Sequence, residues 1–182
     1  MEENITVKET LSASARREYV FKMLFLGEFY PPNEIREQQE IYLSTLTLSP
    51  EQIRELFEKE EEAPTEAEEL FQQVTKKPQK EVRITEALAA ELLDRASAIR
   101  EHIGEIDQIL AAASVGWELD RIGKAELCIL RLATYEILWD DTIPDAVAVN
   151  VAVELSKDYG QKQSKSFVNA ILAKVVKKHE GV

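Results

Sequence analysis

An all-α bundle is the fold class that this 182-residue sequence predicts, and three observations carry the expectation. Apolar residues recur at three-to-four spacing in one segment after another. Helix-start signals head those segments, and prolines follow their ends. Only one stretch alternates like a strand, and no second convincing strand is available to pair with it.

Taken in order, Ser12 or Ser14 can cap a first helix whose Val20, Phe21, Leu24, Phe25 and Phe29 form one apolar stripe. Pro31-Pro32-Asn33 ends it, because proline lacks a donor and disfavours a helical residue before it. A second helix over 34–46 turns Ile35, Ile41, Tyr42 and Leu46 inward. Ser49-Pro50-Glu51-Gln52 has the form of a capping box with proline in the first turn, and Thr65-Glu66-Ala67-Glu68 repeats the device after Pro64. Lys76-Lys77-Pro78-Gln79-Lys80 reads as a polar connector.

Thr85 caps a long helix over 85–113 that buries Leu88, Leu92, Ala96, Ile99, Ile103, Ile106 and Leu110, with Gly104 a weak point. Gly116-Trp117 breaks the pattern, and Asp120-Arg121-Ile122-Gly123 is a short link. The next helix starts at Lys124 and buries Leu127, Leu130, Thr134, Ile137 and Leu138. Residues 146–153 read AVAVNVAV, alternating as a strand does, but they continue into Glu154-Leu155-Ser156-Lys157. As a helix the segment is apolar on nearly all sides, which predicts a place at the centre of the bundle and a buried Asn150 in need of partners. Tyr159-Gly160 closes it. Ser164 caps the last helix, striped by Phe167, Val168, Ile171, Leu172, Val175 and Val176.

Composition narrows the function classes. The chain carries 34 acidic and 22 basic side chains, a net charge of -12, which taken as an average argues against phosphate binding. The distribution changes that inference. Residues 31–75 hold 12 acidic and 3 basic side chains, a net of -9, whereas the other 137 residues net only -3. From 157 onward Lys157, Lys162, Lys165, Lys174, Lys177 and Lys178 face only Asp158 and Glu180. The run Glu58-Lys59-Glu60-Glu61-Glu62 reads as a solvated helix end.

No stretch approaches the roughly 18 apolar residues of a membrane span, and the segment MEENITVKET resembles no secretory or transit signal. A cytoplasmic protein without membrane contact is expected. Cys128, the single cysteine, excludes an intramolecular disulfide and reads as a small buried hydrophobe. His102 and His179 begin no metal-spacing motif, and no phosphate loop, dinucleotide fingerprint or nucleophile elbow occurs. No catalytic residues, no metal and no cofactor are therefore expected, and the chain is not expected to be an enzyme.

The second half carries an ordered pattern: Trp117-x-x-x-Arg121-Ile122, then the run from Ile129 through Arg131, Tyr135 and Glu136 to Ile137, then Pro144. Val147-Ala148-Val149-Asn150, Glu154-Leu155-Ser156-Lys157 and Ser164-Lys165-Ser166-Phe167-Val168-Asn169 follow. Together with Ala15-Arg16-Arg17-Glu18 and Leu24-Phe25, this resembles the NusB family over residues 12–30 and 88–178. The resemblance implies a bundle of two packed small helical subdomains in a single domain over 1–182. Residues 31–87 then form an acidic helical insertion or expansion.

It also implies a transcription antitermination factor. Family members pair with NusE, a ribosomal small-subunit protein, bind boxA-type RNA of ribosomal RNA leaders, and act with other Nus factors on RNA polymerase. A related helical domain fronts some ribosomal RNA cytosine methyltransferases, and no methyltransferase domain is expected here.

Carried over by position, the RNA-binding residues are Arg16, Arg17, Ser164, Lys165 and Phe167. Lysine and arginine would meet phosphates, and Phe167 would either stack on a base or join its helix's apolar stripe. Phe25 and Glu126 match positions facing NusE, with Glu126 expected to be exposed. Arg131, Tyr135 and Glu136 are assigned to a polar network within the bundle. The arginine stretch is shorter than the family's usual one, Val151 stands where an acidic residue is common, and Ala170 replaces a glycine. A second reading is a helical protein-interaction module, a homodimer through the NusE surface, with weak or no RNA binding.

Overall fold

Seven α-helices, a 3-10 turn and one short parallel ribbon make up residues 6–8, 10–47, 82–114, 116 and 118–181, the part that the computed structural model describes. In chain order they are β1 (Thr6–Lys8), α1 (Ala13–Gly27), α2 (Ile35–Ser44), β2 (Val82–Ile84), α3 (Glu86–Glu101) and α4 (Ile103–Ala113). The 3-10 turn (Leu119–Arg121), α5 (Lys124–Trp139), α6 (Asp145–Tyr159) and α7 (Ser164–His179) follow. The all-α class holds. The Ser49 and Thr65 start signals, the glutamate run at 58–62, the connector at 76–80 and Trp117 lie outside the described residues.

The chain divides into two compact units, one of Met1–Leu11 with Glu40–Glu91, the other of Ser12–Gln39 with Leu92–Val182. In the first, β1 and β2 pair in parallel with Thr6 opposite Val82 and Lys8 opposite Ile84. The Ile84 N–H donates to the Leu46 carbonyl at 2.9 Å, and the Ile84 side chain is fully buried. A three-residue ribbon leaves too short an alternation to read in sequence, so it was not anticipated. The α3 start was: Thr85 Oγ1 accepts from the Leu88 N–H at 3.3 Å.

In the second unit α5 is the centre, with every residue from Glu126 to Ile137 buried. It packs against α1, α4, α6 and α7, and α7 also packs against α4 and α6. Ser12 caps α1, accepting from the Ala15 N–H at 3.2 Å.

Four expectations are corrected. The segment 85–113 is two helices, because His102 adopts φ -97 and ψ 0 and its N–H bonds to the Ile99 carbonyl, a tighter turn that stops α3 before Gly104. In α2, Ile41 is exposed, whereas Leu43 and Gln39 are buried, the latter donating to the Met23 carbonyl at 2.9 Å. Segment 146–153 is helical, but peripheral: within it only Ala148 and Ala152 are buried, and Asn150 is exposed. Small alanines let α6 approach α5 closely along one side, so its valines face outward or lie half-buried. Ser164 is the first residue of α7 rather than its cap, which is Gln163.

The α6–α7 connection is tight at Gly160, where a Cβ would stand 2.5 Å from Ser164 Cβ and 2.6 Å from the Ser156 carbonyl oxygen. Gly160→Ala is expected to destabilise the fold by about 1–3 kcal/mol through overpacking, measured as a lower urea midpoint with an unchanged slope.

Candidate nucleic-acid interface

Two adjacent arginines open α1, and the fold sends them to different places. Arg17 is 7% exposed and turned inward, its Nε donating to both Glu136 carboxylate oxygens at 2.9 and 2.8 Å and its Nη1 to the Ala13 carbonyl at 3.1 Å. Burial pushes the Glu136 carboxyl up, against the pull of the Arg17 guanidinium. Arg95 joins them, 3.6 Å from Glu136 and 2.6 Å from Asp140. Arg17 was anticipated as a phosphate contact, yet its charge is met inside the protein. Arg16, one residue earlier, is half-buried.

Glu126 was anticipated as exposed, and this too is corrected: it is 6% exposed. Its Oε1 accepts from the Gln161 N–H at 3.0 Å and from the hydroxyl of Ser164, which is buried as well. The polar network assigned to Arg131, Tyr135 and Glu136 is present in two parts. Arg131 binds Asp107 through two bonds of 2.8 Å and Glu28 at 2.6 Å, while the Arg95 guanidinium lies 5.1 Å from the Tyr135 ring centre.

What remains outward is the two ends of a row of rings whose inner member, Phe21, is buried in the core. Tyr159 lies 4.9 Å from Phe21, Phe21 lies 6.0 Å from Phe25, and Phe25 lies 5.1 Å from Phe29. The two ends are open to solvent, Tyr159 at 38% and Phe29 at 59%, and Phe25 is half-buried. A lysine is held against each end, Lys22 Nζ 5.8 Å from the Tyr159 ring and Lys124 Nζ 5.3 Å from the Phe29 ring.

The Tyr159 hydroxyl donates to Glu18 Oε1 at 2.5 Å, and Lys22 pairs with the same oxygen at 2.8 Å. Lys22 and then Tyr159 hold the Glu18 carboxyl below its ordinary value. Burial acts to lower the Lys22 ammonium, but its bonds to Glu18 and Tyr159 outweigh that and hold it above. Burial, then the bond to Glu18, raises the Tyr159 phenol. At neutral pH the patch therefore carries a Glu18–Lys22 ion pair beside an uncharged ring.

Lys165 is exposed in the first turn of α7 and has no ion pair with a described residue, and Phe167 is half-buried on the same helix. Sequence pattern alone does not mark Lys22, Phe29, Lys124 and Tyr159 as site residues. The stripe predicts Phe29 as core, but it lies past the end of α1 and is exposed, and Tyr159 reads as the end of a helix; the i, i+4, i+8 spacing of Phe21, Phe25 and Phe29 is the one available signal. Among the described residues no group of His, Cys, Asp and Glu is placed to hold a metal ion. The Cys128 thiol is buried and pushed up to about 12 by that burial. No described helix is long and apolar enough to cross a membrane.

Comparison with known proteins gives one consistent result. A family model described as "NusB family" matches residues 52–177. A transcription antitermination protein NusB of Lachnoclostridium phytofermentans is 42% identical over 161 residues, spanning 88% of this chain and 95% of the relative. The NusB protein of Agathobacter rectalis is 35% identical over 164 residues, spanning 90% of this chain and 98% of the relative. A solved structure of T. maritima NusB, 24% identical, superposes with a TM-score of 0.63 over 93% of this chain and 94% of that one, a likeness of fold.

The Arg17–Glu136 pair yields a stability test. Arg17→Ala is expected to cost about 3–5 kcal/mol in urea denaturation, because Glu136 then keeps a buried charge. Replacing both, Arg17→Met with Glu136→Leu, should recover most of that loss; a double variant as unstable as the single one would put the cost elsewhere.

Proposed function

This chain belongs to the NusB family of transcription antitermination proteins, and from that membership we propose that it binds boxA-type RNA of ribosomal RNA leaders together with NusE. In this reading it works in the cytoplasm, with other Nus factors on RNA polymerase, as a binding factor rather than an enzyme. The observation that carries the reading is a pair of exposed rings, Tyr159 and Phe29, each with a lysine against it and joined through half-buried Phe25 and buried Phe21. Single-stranded RNA is held by stacking unpaired bases on aromatic faces and by neutralising phosphates nearby. Each stacked base contributes about 1–3 kcal/mol.

The two ends divide the work. Tyr159 and Lys22, with Arg16, Lys165 and Phe167, form the RNA end; Phe25 and Phe29, with Lys124, form the end that meets NusE. Arg17 and Ser164 support that surface from inside, since their polar groups are engaged with Glu136 and Glu126. The net charge of -12 does not oppose this, because the acidic excess is concentrated in residues 31–75. Steering toward RNA depends on local potential rather than on the sum.

Titrating boxA RNA at low salt, with and without NusE, tests the reading; no binding in either case sinks it. Lys165→Glu should weaken RNA binding and flatten its salt dependence by about one unit of slope. An unchanged slope removes Lys165 from the contact set. Light scattering addresses the alternative use of the Phe25–Phe29 end: a stable homodimer that added NusE does not dissociate would favour self-association.

A further inference from the structure

Glu126 is buried without a cationic partner among the described residues, which sets it apart from Glu136 with Arg17 and from Asp107 with Arg131. Its carboxylate is instead bound to one short loop. Residues 160–163 and the first residue of α7 join α6 to α7, and two of them, Gln161 and Ser164, donate to Glu126 Oε1. The surroundings are shaped to the carboxylate. Gly123, the residue before α5, leaves room for it, since a Cβ there would collide with Glu126 Oε2. Gly160, at the other end of the arrangement, leaves room for Ser164.

Burial alone would raise the Glu126 carboxyl, but the Ser164 hydroxyl and the Gln161 amide outweigh it and hold it below the ordinary range. It is thus an ionised acceptor in the first turn of a helix, where the dipole favours negative charge.

The residues flanking this loop are the ones assigned to RNA. Tyr159 is the last residue of α6, directly before it, and Lys165 is the second residue of α7, directly after Ser164. We propose that Glu126 is a positioning residue for RNA binding: by holding Gln161 and Ser164 it sets the separation of the Tyr159 ring and the Lys165 ammonium without touching RNA itself. The inference rests on the RNA-binding reading above, and it assigns Glu126 a role inside the protein rather than on the NusE surface. Its physical content is preorganisation. A loop already held in its bound shape does not lose conformational freedom on binding, and affinity rises accordingly.

The test compares Glu126→Ala, Ser164→Ala and the double variant in titrations of boxA RNA at several salt concentrations, with hydrogen exchange read at the Gln161 amide. Glu126→Ala should weaken RNA binding by about tenfold while leaving the salt slope unchanged, because no phosphate contact is lost. Ser164→Ala should give a smaller loss in the same direction, and the double variant should bind no more weakly than Glu126→Ala. Gln161 should exchange faster once its acceptor is gone.

A folded Glu126→Ala protein with wild-type RNA affinity overturns the proposal, and so does one that loses only NusE affinity. If Glu126→Ala does not fold, Ser164→Ala decides, and unchanged affinity there also overturns it. If the unaltered chain binds no RNA, the functional reading fails separately. The clamp is then judged by Gln161 alone: equal exchange with and without Glu126 overturns it, and faster exchange without Glu126 supports it.

Discussion

The central helix is enclosed on every side from Glu126 to Ile137, and yet it carries three charged side chains, Glu126, Arg131 and Glu136. A charge taken out of water is costly unless it is paired or hydrogen-bonded, so each of the three has to be met from a neighbouring element. Glu136 is met by Arg17 of α1, with Arg95 of α3 alongside. Arg131 is met by Asp107 of α4 and by Glu28 just past the end of α1. Glu126 is met by the loop between α6 and α7. Apolar packing supplies the driving force for burying this helix, and the three charges specify which neighbour stands where. Breaking one partner out of such an arrangement costs more than never having had the pair, which makes the register of the unit sharply defined.

Satisfying charge inside the protein also decides what is left for its surface. Arg17 is spent on Glu136, and Ser164 on Glu126, so neither presents a polar group outward. The outward face of α1 and the end of α6 then depend on ring surfaces and on lysines laid against them. Such a face suits a partner with exposed bases better than a regular duplex, whose bases are stacked away. The Glu18–Lys22–Tyr159 cluster places an ion pair beside a neutral ring in a chain whose overall charge is strongly negative. Local arrangement, not composition, sets what this surface can attract.

Much of the fold was legible because the signals behind it are local. The Ser12 and Thr85 caps and the stripes of α1 and α7 need only neighbours within a turn or two. The misreadings share a different cause. Gly104 drew attention as a weak point, but the chain turned at His102, where the stop depends on a backbone angle rather than on helix propensity. The AVAVNVAV segment looked central because it is apolar all round, yet the larger residues of α5 fill the middle and the alanines of α6 lie against them. The ribbon of β1 with β2 joins segments more than seventy residues apart, beyond the reach of any local pattern.

The sequence by itself determined the helical class, most helix boundaries, the segregation of acidic residues into 31–75 and the family resemblance, all of which are written in neighbouring residues or in ordered motifs. Only the tertiary structure decided which charges are inside. Arg16 and Arg17 are adjacent and chemically identical. Periodicity puts Arg17 on the stripe of Val20, Phe21 and Leu24 and Arg16 off its centre, but it does not supply the counter-charge that a buried guanidinium needs. That counter-charge comes from Glu136, 119 positions away, which accepts from the Arg17 guanidinium inside the bundle. Glu126 was read outward for the same reason: its partners, Gln161 and Ser164, are remote in sequence and come beside it only when α5, α6 and α7 have packed. Helix formation follows from short-range periodicity, whereas the fate of a buried charge depends on a partner brought in by the rest of the chain.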